Sequence, residues 1–137
     1  MDATPRQSKA ETDYADLLRE SLAKPFSWGT HDCVTFAAAA VRARTGRDVL
    51  DIELTWHTAF EAATAIEAEG GLHAAVTKRL GDPLPRLRAR VGDVALVTDP
   101  VNGRGLLGVC HGDVILCPSE AGLAMLPLTA AQCVWRP

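Results

Sequence analysis

The sequence predicts an α+β domain in which N-terminal helices pack on a C-terminal antiparallel sheet of about five strands. Apolar residues recur at helical spacing as far as Leu80, then alternate with a period of two from Asp93 onward. The proline-punctuated stretch "GDPLPRLRAR" separates the two regimes, and Gly112 between two alternating segments marks a tight hairpin turn. Helices first and strands after make one packed layer on another.

The polar residues 1–8 are expected to form a flexible N-terminus, followed by a single domain over 9–137 with its helical part at 9–81 and its sheet part at 91–137. From Ala10 to Ala23, Tyr14, Leu17, Leu18 and Leu22 define an amphipathic helix that Lys24-Pro25 ends. After the connector "FSWG", Asp32 caps a helix over 33–45 that Thr45-Gly46 closes. Val34, Phe36, Ala37–Ala40 and Val41 make this helix apolar nearly all round, so it is the buried central one. A helix from about Thr55 to Glu69 and a shorter one over Leu72–Leu80 follow. "DVALV" (93–97), "LLGVCH" (106–111), "DVILC" (113–117), "GLAMLPL" (122–128) and "CVW" (133–135) read as strands.

A chain of 137 residues supports one core, and 47% hydrophobic content excludes wholesale disorder. A net charge of −3 gives no basic surface for nucleic acid or an anionic membrane. The clusters Arg42, Arg44, Arg47 and Arg86, Arg88, Arg90 read as solvated faces. The N-terminus has no signal-peptide core, and no apolar run reaches the ~20 residues of a membrane span. Synthesis in the cytoplasm without membrane insertion is therefore expected. Cys33, Cys110, Cys117 and Cys133 fit that compartment as reduced thiols, the last three as small buried hydrophobes. Cys110, His111, Cys117 and Cys133 lack a Cys-x-x-Cys knuckle, so neither metal nor cofactor is expected.

Chemistry centres on Cys33, in the first turn of the central helix. A helix N-terminus carries partial positive charge and free N–H groups, both of which favour a thiolate. A base must then come from a facing strand. "WGTHDCVTF", "RVGDVALV" and "GLLGVCHGD", in that order, resemble the landmarks of NlpC-type papain-like cysteine peptidases of the cell wall. The resemblance implies a papain-like fold with Asp-Cys opening the central helix and Gly-Asp starting the first core strand. The second strand of that family reads His-x-Gly-[Ile/Val]-x-x-Gly.

From Pro25 to Pro137 the chain also resembles small uncharacterised phage and prophage proteins, typically encoded among tail genes. Pro25, Phe26, Trp28, Gly29, Asp32, Cys33, Thr45, Gly46, Asp48, Trp135 and Arg136 carry that likeness. It implies partners among phage tail or particle proteins, possible contact with peptidoglycan, and assembly into a virion.

Laying "LLGVCHG" on the peptidase strand puts Leu106 at the histidine position, with Gly108, Val109 and Gly112 matching. His111 is five residues further on, facing the opposite side and about 16 Å away along a strand. His31, two residues before Cys33, is an irregular candidate base. His57 and His73 read as structural, and Asp93 as orienting its strand's entry. In "VILCPS", where the peptidases place a polar residue to orient the histidine, the inward pair is Ile115 and Cys117 or Val114 and Leu116. Trp28, Trp56, Trp135, Phe26 and Phe60 read as core or contact residues rather than a carbohydrate groove. Two functions follow. One is a catalytically inactive tail-associated module with a vestigial cleft at Trp28, Gly29, Asp32, Leu106 and Gly108. The other is a cysteine amidase or peptidase acting on peptidoglycan stem peptides through Cys33 and His31.

Overall fold

The computed structural model describes residues 8–50 and 56–137. Its elements are α1 (Lys9–Ser21), α2 (Cys33–Thr45), α3 (Ala59–Ala68) and α4 (Leu72–Leu80), then β1 (Val94–Thr98), β2 (Gly105–His111), β3 (Val114–Ser119), β4 (Gly122–Pro127) and β5 (Ala131–Trp135). The predicted α+β class and the bounds of α2 and α4 match. Residues 1–7 of the expected flexible terminus lie outside the described residues. Ser8, grouped with them, is the N-cap of α1 and shares a capping box with Glu11. Thr55, the expected start of α3, also lies outside. α3 begins later than the pattern suggested because Thr58 caps it, accepting from the Glu61 N–H.

The sheet runs β4-β3-β2-β1-β5, every pair antiparallel. Three hairpins lay down β1 to β4, and β5 returns to the free edge of β1. Its register shifts between Leu96 and Val97, a bulge that leaves Gln132 exposed. Gly112 makes the two-residue turn between β2 and β3 at φ +71°, a conformation that glycine adopts without strain.

α2 lies on the sheet with alanines where close approach is needed. Phe36 and Ala40 join Tyr14 of α1, Val109 and Leu116, while Ala37 and Val41 join Val76 of α4, Val94, Leu96, Leu107 and Trp135. Strand alternation sends Ala95, Val97, Cys110, Ile115, Cys117, Ala131 and Val134 to the opposite face, where Leu84, Ala89 and Leu128 cover them. Both faces of the sheet are thus buried, which explains the nearly continuous apolar run in β1 to β3. Among the described residues no helix is long and apolar enough to cross a membrane.

The arginine clusters are not merely solvated faces. The Arg44 guanidinium lies 5.4 Å over the Tyr14 ring, Arg47 donates to the Arg79 carbonyl, and Arg86 donates to the carbonyls of Thr129 and Ala131. Their aliphatic stems and multiple donors let them tie distant chain segments together at the surface.

Candidate functional site

The site is built around the start of α2. Asp32 is 1% exposed and caps the helix, its Oδ1 accepting the Thr35 N–H at 2.9 Å while Thr35 Oγ1 accepts the Asp32 N–H at 2.8 Å. Its second oxygen, Oδ2, accepts from Gly29 N–H and Trp56 Nε1–H, both at 2.8 Å. One buried carboxylate therefore joins the helix, the loop before it and the segment leading into α3. Gly29, at φ +83°, runs against the Trp56 carbonyl, and a Cβ there would collide with that oxygen. The loop is closed by reciprocal backbone bonds between Ser27 and His31, and the Phe26 N–H donates to the Ser119 carbonyl at the end of β3.

Cys33 follows immediately, packed against the cluster that contains Leu107. The β2–β3 ladder has three pairs and ends at Val109↔Leu116, after which β3 continues paired with β4 alone. The start of α2 reaches β2 beyond the end of this ladder, where the backbone amides of Leu107, Cys33 itself and Val34 act to lower the pKa of the thiol. Burial nonetheless pushes the thiol up to about 11, an effect that the Leu107 amide opposes and the Asp32 charge reinforces. Desolvation outweighs the helix terminus, so the position predicted to favour a thiolate holds a neutral thiol at pH 7.

On the other side of β2, Gly108 leaves room for β3. A Cβ at that position would overlap Ile115 and lie 2.8 Å from Cys117 Sγ. Cys117 is close enough to Cys33 for charge on Cys33 to raise its pKa, a secondary effect beside the burial that takes it to about 12. Of the two pairs left open in "VILCPS", Ile115 and Cys117 share the Gly108 face, and Val114 and Leu116 face the helices.

The strand residue that touches Cys33 is Leu107. Leu106, opposite Val97, alternates with it and faces the side shared with Gly108. His31 is buried, its ring edge-on to Phe36 with centroids 5.9 Å apart, and its Nε2 has no hydrogen-bond partner among the described residues. Among the described residues no imidazole hydrogen-bonds the Cys33 sulfur. His111, at the far end of β2, has its Nδ1 3.3 Å from the Tyr14 hydroxyl. His57 and His73 are exposed, and His73 leans on Trp135. Trp28, on the surface beside the site, stacks edge-on with Phe26, whereas Phe60 stands 81% exposed on α3. Trp56 and Trp135 are core residues.

Two relationships were hidden from local pattern. Trp56 is a core residue, as its aromatic character suggests, but its polar partner lies 24 residues away. Asp93 does more than orient its strand: 2% exposed, it accepts from Arg136 at 3.1 and 3.3 Å and from the Arg90 N–H at 2.9 Å. Behind α2, an apolar cavity of about 90 Å³ between α2, α3, α4 and the sheet is bordered by Val34 and Leu107, with the Arg79–Glu69 ion pair in its wall. Among the described residues no group of three or more His, Cys, Asp or Glu is placed to hold a metal.

A family model described as a domain of unknown function, DUF6950, matches residues 5–137. No curated protein matches the chain significantly. Among solved structures, the crystal structure of the NlpC/p60 domain of the peptidoglycan hydrolase SagA superposes with a TM-score of 0.58 at 14% identity. That match covers 92% of this chain and 97% of the SagA chain. At this identity the likeness is one of fold, and the fold is the papain-like NlpC/p60 arrangement of helices on an antiparallel sheet.

Proposed function

We propose, for a chain that belongs to the DUF6950 family and carries an NlpC/p60-like fold, that it is a catalytically inactive module acting through contacts with other proteins. The observation that carries this reading is the surroundings of the Cys33 sulfur. Only backbone amides oppose its burial, and its thiol is still raised to about 11. A cysteine hydrolase needs a thiolate or an adjacent base able to make one, and a base acts from about 3 Å or through one water. His31 holds its ring on Phe36 instead. Leu107, the β2 residue packed with Cys33, is apolar, and Leu106, which the sequence comparison aligned with the peptidase histidine, faces away from the sulfur. A fold persists when its chemistry is lost, because the core and the site rest on different residues.

The sequence resemblance to small proteins encoded among phage tail genes supports tail or particle proteins as the partners, with assembly into a virion. Trp28 and the half-buried Phe26 offer an aromatic surface beside the old cleft for such contacts. The test is turnover of purified peptidoglycan stem peptides by the wild type and by Leu106→His. No turnover by the wild type is expected, and none in Leu106→His, because residue 106 faces away from the Cys33 sulfur. Wild-type turnover abolished by Cys33→Ala would overturn the reading.

One observation favours the enzymatic alternative. The amides of Cys33, Val34 and Leu107 converge near the sulfur, an arrangement suited to stabilising an oxyanion. The structural neighbour SagA is a peptidoglycan hydrolase, so peptidoglycan peptides are the substrates that the same experiment uses.

A further inference from the structure

The geometry points to His31 as a proton-sensitive latch that holds the Phe26–His31 segment against the start of α2 only while its ring is neutral. His31 is 4% exposed and its Nε2 is unpartnered among the described residues. As the residue before the N-cap it packs on Phe36, four positions into the helix, in the manner of a hydrophobic staple. Its backbone closes the segment, donating to the Ser27 carbonyl at 2.8 Å and accepting the Ser27 N–H at 3.0 Å. Ring and loop therefore move together.

A neutral imidazole can leave one nitrogen without a partner at modest cost. An imidazolium has two donors and a full charge, and burying it unpaired is far more expensive. Lys24 of the connector opposes protonation and Asp32 favours it, but both Asp32 oxygens are already occupied by Gly29, Thr35 and Trp56. The N-terminal end of α2 adds positive partial charge. Phe36 contributes none, and Tyr14 of α1, in the same cluster, is pushed up to about 12 and stays neutral. β3 meets the segment through the Ser119 carbonyl alone among the hydrogen bonds of the described residues.

Burial first, and Lys24 second, hold the closed ring below its ordinary value of 6.5. The open form titrates near about 6.5, so it takes up the proton first as pH falls. The latch is fully closed in effect above that value. It weakens by up to about tenfold per pH unit below it, until the lower pKa of the closed form is reached. Opening would present Phe26 and Trp28 and uncover the Asp32–Cys33 end of α2. None of this depends on whether Cys33 is catalytic.

The test is amide hydrogen exchange on the full chain between pH 7.5 and 5, corrected for intrinsic rates, together with the NMR titration of the His31 ring. Protection of the Ser27 and His31 amides is expected to fall as pH drops below about 6.5 while Leu96 and Val109 stay protected. His31→Phe, which keeps the staple without the proton, should hold its protection throughout. If that variant does not fold, His31→Gln serves the same purpose. Equal acid sensitivity in wild type and variant, a native ring titrating at or above 6.5, or uniform loss across the sheet would each overturn the latch.

Discussion

The indole of Trp56 donates to the carboxylate of Asp32 at 2.8 Å, and the oxygen it uses is the one that holds the Gly29 N–H. A charge with so little exposure is stable only when its acceptor capacity is filled, and here three donors fill it. Asp32 therefore does more than cap α2. It is the joint at which the loop carrying Trp28 and His31, the helix carrying Cys33 and the approach to α3 are fastened together.

Removing that carboxylate should be costly. Asp32→Ala strands the Gly29, Thr35 and Trp56 donors and is expected to lose about 3–5 kcal/mol of stability. Asp32→Asn keeps one acceptor oxygen and should lose about 1–3 kcal/mol. Urea unfolding followed by tryptophan fluorescence measures both. A double-mutant cycle with Trp56→Phe should return a coupling of about 0.5–3 kcal/mol, and additivity would show the indole bond to be unimportant.

The start and stop of α2 were legible because caps are local. Asp32 and Thr35 are three residues apart, and Gly46 takes the left-handed conformation that ends the helix. The strands were legible by alternation, although both faces of the sheet are buried and the polar half of the pattern is faint. What could not be read was anything set by a partner far along the chain. Trp56 is held by Asp32 from 24 residues away, and Arg136 is recruited by Asp93 from 43 residues away. The protonation of Cys33 was misjudged for a related reason. Its helix position is written in the sequence, but its desolvation depends on the start of α2 packing against β2 at Leu107.

Gly108 allows β3 to approach β2 beside the site. Gly108→Ala places a methyl group against Ile115 and Cys117, where the neighbours are core atoms with little freedom to shift. A loss of about 1–3 kcal/mol is expected, as for other overpacked cores. Ile115→Val or Cys117→Ala in the same background should restore part of it. A Gly108→Ala protein as stable as the wild type in thermal unfolding would show that the strands can separate without cost.

Arg136 neutralises the buried Asp93 and also donates to the Arg88 carbonyl at 2.6 Å, pinning the 3₁₀ turn at Arg86–Arg88 to the end of β5. Arg136→Ala leaves a buried carboxylate with one backbone donor and should cost about 2–4 kcal/mol. Asp93→Asn/Arg136→Ala removes the stranded charge and should recover part of that loss. If Arg136→Ala unfolds at the wild-type denaturant midpoint, the pair makes no net contribution.

Alkaline pH should destabilise the fold. Burial takes Cys110 and Cys117 from 9.0 to about 12, so the folded state holds these protons more tightly than the unfolded chain does. Their stabilisation is complete below pH 9 and disappears as pH rises toward the folded values. Between pH 9 and 11 the stability should fall by about 2 kcal/mol per pH unit more steeply than in Cys110→Ala/Cys117→Ala, about 1 for each thiol, measured by urea titration. Parallel slopes would mean that the thiols are not desolvated.

Cys33 extends the same logic to chemistry. With its pKa raised from 9.0 to about 11, its thiolate fraction at neutral pH is about a hundredfold below that of a free cysteine. Alkylation of Cys33 by iodoacetamide, resolved by peptide mass spectrometry, should therefore be at least about a hundredfold slower than that of glutathione at pH 7.5. The rate should climb about tenfold per pH unit up to about pH 11, without a plateau near neutrality. Papain-like hydrolases require the opposite, a thiolate already formed or formed on demand by an imidazole. Fast labelling at pH 7.5 with a plateau below pH 8 would reveal a base paired with the sulfur. In that case the enzymatic reading, with Cys33 as nucleophile, would replace the inactive one.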